Sequence, residues 1–400
     1  MSIKADFSEI DLCVKCGLCL PYCPTYTLSK NENKSPRGRL ALIQAWSEGH
    51  LELSNTLSQH IDSCLTCRAC ENMCPAQVPY AHLINQFRAE TAEITEQPLS
   101  TAEQFTVKLL TGQHSRGVNA LLRFYQQSGL NELFGKYKEN DYLPDTIINN
   151  QLNDHYPHKT AIKQGNVALF TGCVSKTVDA KTLIDAITVL QHCGFAVSLP
   201  KNQCCCGAID KHAGQQQRAD ELALQNKQAF STETFDAVIT VASGCGSTLA
   251  EYSNALATNI IDINDFIAPF LSALSFKPLP ASAWLHTPCT LKNVSYPHSS
   301  CSKGAQVPKA LAAIDGLKVY SFSENQLCCG AAGTYMLSQP ETANTLLDQA
   351  LAPLHQQPTD FLLTSNIGCA MHLRAGLKQA GLNTQVLHPI SLLAQQLETP

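Results

Sequence analysis

Two different rhythms of apolar residues divide the 400-residue chain. Near the start, Leu40, Ile43 and Trp46 recur at threes within GRLALIQAW, the spacing of a helix that buries one face. From about residue 164 the pattern changes. Short apolar runs in NVALFTGC, DAVITVASGC, SAWLHTPC and DFLLTSNIGC each lead into a cysteine, with helical spacing between them, as in Val178 to His192 and Glu341 to Leu354. Strands alternating with helices predict parallel sheets, with ligands beyond the carboxyl ends of the strands. Between the two regimes lie a helical patch, Ala120 to Tyr125, and the polar stretch NDYLPDTIINNQLNDHYPHKTAIKQG. The division expected is a helical unit over 1–95, a connector packed on it and a linker over 96–163, and α/β units over 164–277 and 278–400.

Composition narrows the function. With 44% hydrophobic and 15% charged residues the chain is ordinary globular protein, which excludes wholesale disorder. A net charge of -5 gives no basic field for a phosphate backbone, so nucleic acid is not an expected partner. No run approaches the ~20 apolar residues that a bilayer requires. The opening MSIKADFSEIDL has no basic and apolar leader, so the expected location is cytoplasmic, at most peripheral on the inner face of the cell membrane. The abnormal number is 19 cysteines. An odd count in a reducing compartment points to metal ligands rather than disulfides.

Their spacing supplies the chemistry. Cys13, Cys16, Cys19 and Cys23, followed by Pro24, repeat as Cys64, Cys67, Cys70 and Cys74, followed by Pro75. This is the bacterial ferredoxin pattern, in which three close thiolates hold one cubane and the fourth comes from the other run. One [4Fe-4S] cluster is then expected on Cys13, Cys16, Cys19 and Cys74, and a second on Cys64, Cys67, Cys70 and Cys23. Zinc would need only two close pairs per site, whereas each run carries four cysteines.

Eight of the remaining cysteines form two copies of one arrangement. Cys173, the pair Cys205 and Cys206 before Gly207, and Cys245 match Cys289, the pair Cys328 and Cys329 before Gly330, and Cys369, at offsets of 116, 123 and 124. The strand pattern brings each set to one sheet rim, and the glycines allow the backbone to turn tightly there. Free cysteine also serves as a small apolar core residue, which suits Cys193 best. Cys204 and Cys301 have no counterpart in the other copy and stay unassigned.

The first 95 residues resemble the helical ferredoxin domain of respiratory dehydrogenase iron–sulfur subunits. The repeats resemble the cysteine-rich CCG domains of heterodisulfide reductase, of the anaerobic glycerol-3-phosphate dehydrogenase membrane-associated subunit, of lactate-utilisation proteins and of glycolate oxidase iron–sulfur subunits. The full order is most similar to the last family, through CGLCLPYCPTY, SPRGRL, CLTCRACENMCP, CCGAID, ASGCG, HTPCTL, LCCGAAGTY and NIGCAMHL. The resemblance implies an α-helical ferredoxin domain followed by two tandem α/β CCG domains. It implies an electron-transfer subunit of a glycolate dehydrogenase with a non-NAD acceptor, working beside FAD-containing subunits and passing electrons toward a quinone or other membrane acceptor. Lactate or glycerol-3-phosphate dehydrogenase subunits share the CCG units, and a zinc-binding structural protein is the alternative without redox chemistry.

The chain departs from heterodisulfide reductase, whose last element is C-x-x-C, because Thr248 and His372 stand at the fourth position. A five-thiolate site is thereby removed. An ordinary four-thiolate cluster in each repeat, a cluster with His372 as an extra ligand, and an empty pocket all stay open. No G-x-G-x-x-G follows a strand, so no flavin or nicotinamide site and no catalytic residue is expected on this chain. His286, His298 and His388 lie within two residues of a proline, where solvated or capping roles are expected.

Overall fold

The computed structural model describes residues 5–92, 115–127, 142–144, 146–149, 151–252, 258–294, 304–322 and 328–398. Its N-terminal unit is helical. Ser35 caps helix Pro36–Ser47 by accepting from the Gly38 N–H at 3.0 Å, and Pro36 occupies the first turn, where its missing N–H costs nothing. The predicted stripe is core: Leu40, Ile43 and Trp46 are buried with Leu83, Ile84 and Phe87 of helix Tyr80–Thr91. Trp46 meets the Phe7 and Phe87 rings edge-on at 5.9 and 4.9 Å.

Among the described residues nine strands build two sheets. The first contains β1 (His155–Tyr156), β2 (Gly165–Phe170), β3 (Phe195–Ser198), β4 (Ala237–Thr240) and β5 (Ile260–Asp262), in the order β1-β3-β2-β4-β5. The second contains β6 (Ser282–His286), β7 (Lys318–Ser321), β8 (Phe361–Thr364) and β9 (Gln385–Leu387), in the order β7-β6-β8-β9. All pairings are parallel except β1 with β3. The repeat therefore extends from cysteine spacing to strand order, with β2, β3, β4 and β5 equivalent to β6, β7, β8 and β9.

The two sheets pack reciprocally. Helix Ala180–His192 of the first repeat lies on Pro389–Gln396 of the second, and the equivalent pair, Ile263–Ile267 and Gln306–Leu311, also packs together. Helix Ser243–Glu251 meets Cys289–Asn293, and the equivalent contact joins Ile367 and Met371 to Val174 and Val178. Because these four elements follow the strands, the carboxyl ends of both sheets meet at the shared interface. Backbone bonds fasten it, with Ser243 N–H donating to Ser365 O at 3.0 Å.

The described part of the connector differs from expectation. Helix Ser115–Gln127 packs on Val174–Val178 rather than on the helical unit, and Asn119 Nδ2 donates to Thr177 O at 2.7 Å. The polar linker also contributes β1, which extends the first sheet antiparallel at its edge. Two residues joined through backbone bonds leave no side-chain period to read. No helix among the described residues is long and apolar enough to cross a membrane.

His388 does cap a helix, but as a buried residue: its Nδ1 accepts from Ile390 N–H at 3.0 Å at the start of Pro389–Gln396. Burial pulls its pKa down from 6.5 to about 3. Between those values the unfolded chain binds a proton that the folded chain refuses. The stabilisation is complete above pH ~6.5 and is lost as pH falls, by up to ~1.4 kcal/mol per unit. Asparagine can keep the cap without the titration. Urea unfolding at pH 7 and pH 5 is expected to show a smaller acid loss for His388→Asn, by up to ~2 kcal/mol. Identical losses would refute this account.

Candidate metal centres

The two ferredoxin-type runs adopt one backbone shape. In each, the residues flanking the middle cysteine are left-handed: Lys15 (φ 55°) and Gly17 (φ 84°) around Cys16, Thr66 (φ 49°) and Arg68 (φ 60°) around Cys67. Three of these four are not glycine, and Thr66 is β-branched, so the shape is strained. A loop wound this way turns successive side chains and N–H groups inward, as an anionic cluster requires. The Thr66 N–H already donates to Cys64 Sγ at 3.4 Å.

Cys13, Cys16, Cys19 and Cys74 line one cavity, and Cys70 forms part of its wall toward the second run. Cys70 in turn lies within electrostatic reach of Cys67, Cys64 and Cys23. Burial lifts the Cys19 thiol to about 11 and raises Cys67 and Cys70 well above the ordinary value. Thiols held protonated by burial call for metal charge before they ionise.

Cys64 is the exception, and two residues that sequence reasoning passed over explain it. Burial opposes its ionisation, but the Arg39 and Arg88 guanidiniums, the Thr66 N–H and the Tyr80 hydroxyl together lower its pKa. Arg39 is 1% exposed and donates to His60 O (2.7 Å), Thr25 Oγ1 (3.0 Å) and Ser63 Oγ (2.9 Å). Arg88 donates to Cys64 O at 2.9 Å and Thr66 Oγ1 at 3.1 Å. The available signal was an arginine at an apolar register position of each helix, beside Leu40 and Phe87. A fixed positive charge stabilises the more negative, reduced state of a neighbouring cluster. At an effective dielectric of ~20 and about 8 Å, it is worth ~2 kcal/mol, roughly 90 mV for one electron. Arg39→Met is expected to lower one cluster's midpoint potential by tens of millivolts and leave the other in place. Redox titration followed by EPR checks this, and an unshifted pair of potentials would exclude it.

The repeats hold matched thiol groups. In the first, Cys173 Sγ donates to Cys205 Sγ at 3.4 Å, and the Gly207 N–H reaches Cys205 Sγ at 3.4 Å. In the second, Cys289 Sγ lies 3.9 Å from Cys328 Sγ, Cys329 Sγ 3.1 Å from Cys369 Sγ, and the Gly330 N–H 3.5 Å from Cys328 Sγ. Hydrogen bonds from Cys173 and Cys206 pull the Cys205 thiol down, and those from Cys289 and Cys329 do the same at Cys328, while the donors are raised. Cys245 and Cys369 stand in the first turns of helices Ser243–Glu251 and Ile367–Gln379. All eight repeat cysteines therefore converge, four to a rim, as a soft donor set suited to iron–sulfur or zinc.

The remaining candidates separate cleanly. Cys204 turns its thiol to the Leu222 and Cys205 carbonyls, and Cys193 is buried in the first repeat's core. Thr248 Oγ1 bonds back to Gly244 O at 3.2 Å. His372 Nε2 lies 3.3 Å from Ala343 O, and its ring stacks on Tyr142. His286 is neither solvated nor a cap: it ends β6, is 2% exposed, and groups with Cys329 and Cys369. The expectation failed because proximity to Pro288 reads as a loop, whereas the strand continues through His286. Cys301 and His298 lie outside the described residues.

The thiols of the second run and the second repeat are contiguous. Cys67 of the second run feels the Cys328 thiol, and Cys289 feels Cys67. Asn293 Nδ2 donates to Cys67 O at 2.9 Å, and Tyr335 OH to Ser63 O at 3.1 Å, which fastens the run to the second repeat. On the first repeat the contact is ionic, Arg68 with Glu251 at 2.9 Å, a carboxylate that also holds Lys211 of the same repeat at 2.6 Å.

Comparison with known proteins agrees with this layout. Residues 9–78 match the 4Fe-4S dicluster domain family, and residues 167–250 and 283–374 match the cysteine-rich CCG domain family. The chain is 31% identical to the probable glycolate oxidase iron-sulfur subunit of Bacillus subtilis, over 98% of this chain and 95% of that protein. It is 31% identical to the glycolate oxidase iron-sulfur subunit of Escherichia coli, over 99% and 96%. Lactate utilization protein A 1 of Bacillus anthracis is 25% identical over 58% of this chain and 98% of its own length.

Proposed function

The chain belongs to the family of the glycolate oxidase iron–sulfur subunits, and from that membership we propose that it relays electrons from a flavoprotein that oxidises glycolate to glyoxylate. It is an iron–sulfur electron-transfer subunit of a hydroxy-acid dehydrogenase. In our reading Cys13, Cys16, Cys19 and Cys74 ligate one [4Fe-4S] cluster, and Cys23, Cys64, Cys67 and Cys70 the other. Cys173, Cys205, Cys206 and Cys245, and Cys289, Cys328, Cys329 and Cys369, hold one further centre each. Bound clusters supply one-electron carriers, which split the electron pair taken from a 2-hydroxy acid into single transfers.

The observation that carries this reading is the run of sulfur from the partly exposed Cys13–Cys19 loop, through the second set, to Cys289 and Cys328. The residues of the chain keep that route rigid and dry. Arg37 pins the first loop by donating to Lys15 O at 2.9 Å, Arg39 and Arg88 offset negative charge at the second set, and Leu28, Leu65 and Tyr335 pack beside Cys67 and Cys328. Electrons leave toward a quinone or other membrane acceptor.

The test is to purify the chain anaerobically with its flavoprotein partner, add glycolate, lactate or glycerol 3-phosphate, and follow cluster reduction by EPR. Glycolate is expected to reduce the clusters fastest. Reduction only by lactate or glycerol 3-phosphate would reassign the substrate, and zinc in place of iron would end the relay reading.

A further inference from the structure

The two repeats are not equivalent at one register position. β6 pairs His286 with Thr364, and β2 pairs Phe170 with Thr240. In the second repeat the His286 Nδ1 lies 2.9 Å from Thr364 Oγ1. In the first, Thr240 Oγ1 is buried without a hydrogen-bond partner among the described residues. The threonine thus recurs, but only the second repeat places an imidazole on it.

That imidazole is aimed at the thiols. A ligand atom of His286 and the sulfurs of Cys329 and Cys369 all lie within 4.8 Å of one another, and all three residues are buried. A buried imidazole needs a partner for each nitrogen, a demand that phenylalanine at the same position avoids. Thr364 engages Nδ1, which leaves Nε2 for the sulfur side. When Nδ1–H donates to Thr364 Oγ1, the lone pair sits on Nε2, the tautomer of metal-bound histidines whose other nitrogen is held by a second partner.

We propose that His286 Nε2 is a metal ligand of the second repeat's centre, a fifth donor beside Cys289, Cys328, Cys329 and Cys369. The first repeat, with Phe170 in that place, has its four thiolates alone. This rests on the reading that the second repeat holds an iron–sulfur cluster. His372, the histidine that spacing singles out, sets its Nε2 3.3 Å from Ala343 O and its ring on Tyr142, and the thiols of Cys329 and Cys369 group with His286 instead. A neutral nitrogen donor adds no negative charge to the four thiolates, so the two repeats' centres would differ in coordination rather than in ligand charge.

The experiment uses the full chain, labelled with 15N-histidine, purified anaerobically and poised stepwise through a redox titration for pulsed EPR. The expected result is a hyperfine coupling from a directly bound imidazole nitrogen in the wild type and in His372→Phe, and its loss in His286→Phe. Absence of that coupling in the wild type, or its survival in His286→Phe, overturns the proposal. The wild-type measurement stands even if His286→Phe folds poorly. Iron counts in Cys329→Ser separate the two levels. An unchanged count means the second repeat holds no cluster, so the underlying reading fails, whereas lost iron without nitrogen coupling in the wild type removes His286 alone.

Discussion

Cys67→Ser is expected to remove one cubane, about four irons per chain, while the cluster on the first loop persists. It is also expected to lower stability by more than about 4 kcal/mol, in the range reached by loss of a metal site. The size of the effect comes from position. Cys67 lies between the second run and the second repeat, its carbonyl accepts from Asn293, and it feels the thiols of Cys328, Cys23 and Cys64. Without metal, the strained Thr66 and Arg68 have no reason to stay left-handed, so the segment that fastens the helical unit to the second repeat should loosen. Cys16→Ser makes the contrast. Cys16 is exposed and lies in a loop whose cluster the second set does not need. Iron analysis, thermal unfolding and substrate-driven reduction of the repeat centres check the pair. Equal loss of iron and of relay in both variants would show that the two sites assemble as one unit, against the route proposed here.

The contrast between these two cysteines marks how much was readable beforehand. Cysteine spacing narrows which sulfurs can meet, because a turn of two residues restricts reach, and Cys13, Cys16, Cys19 and Cys74 line one cavity together with Cys70. The apolar runs ending at Phe170, Thr240, His286 and Thr364 likewise mark four strands to within a few residues, since a fully buried strand writes itself as an unbroken run. What spacing cannot encode is which groups from distant segments stand beside those sulfurs. Arg39 and Arg88 look like ordinary helix residues until the fold turns them onto Cys64. His286 ends one of those runs, but nothing in the run shows that β8 brings Thr364 beside it. Edge strand β1 and the connector's contact with Val174–Val178 also depend on partners far away in sequence.

Gly330→Ala is expected to be more damaging than the same substitution at the equivalent Gly207, and a graded series can show why. Gly330 has φ 89°, and a Cβ there would stand 2.6 Å from Ala343 O and 3.0 Å from Ala343 Cα, backbone atoms of helix Pro340–Gln356 that cannot swing away. Gly207 shares the conformation, φ 82°, but its Cβ would meet the Ala219 backbone no closer than 3.3 Å. Gly381 has φ 67° and open space. Left-handed backbone alone costs an alanine ~1–2 kcal/mol, so Gly381→Ala should lose about that much and Gly207→Ala slightly more. Gly330→Ala adds backbone overlap and should lose ~3 kcal/mol or more. The loss has a chemical consequence, because Gly330 donates its N–H to Cys328 Sγ and sets the direction of the Cys328 and Cys329 pair. Moving that turn opens the second thiol group where it faces Cys67. Denaturant unfolding of the three variants, with iron counts, tests the order. A Gly330→Ala protein as stable as Gly381→Ala, with its full iron, would mean that the glycine serves neither the turn nor the site.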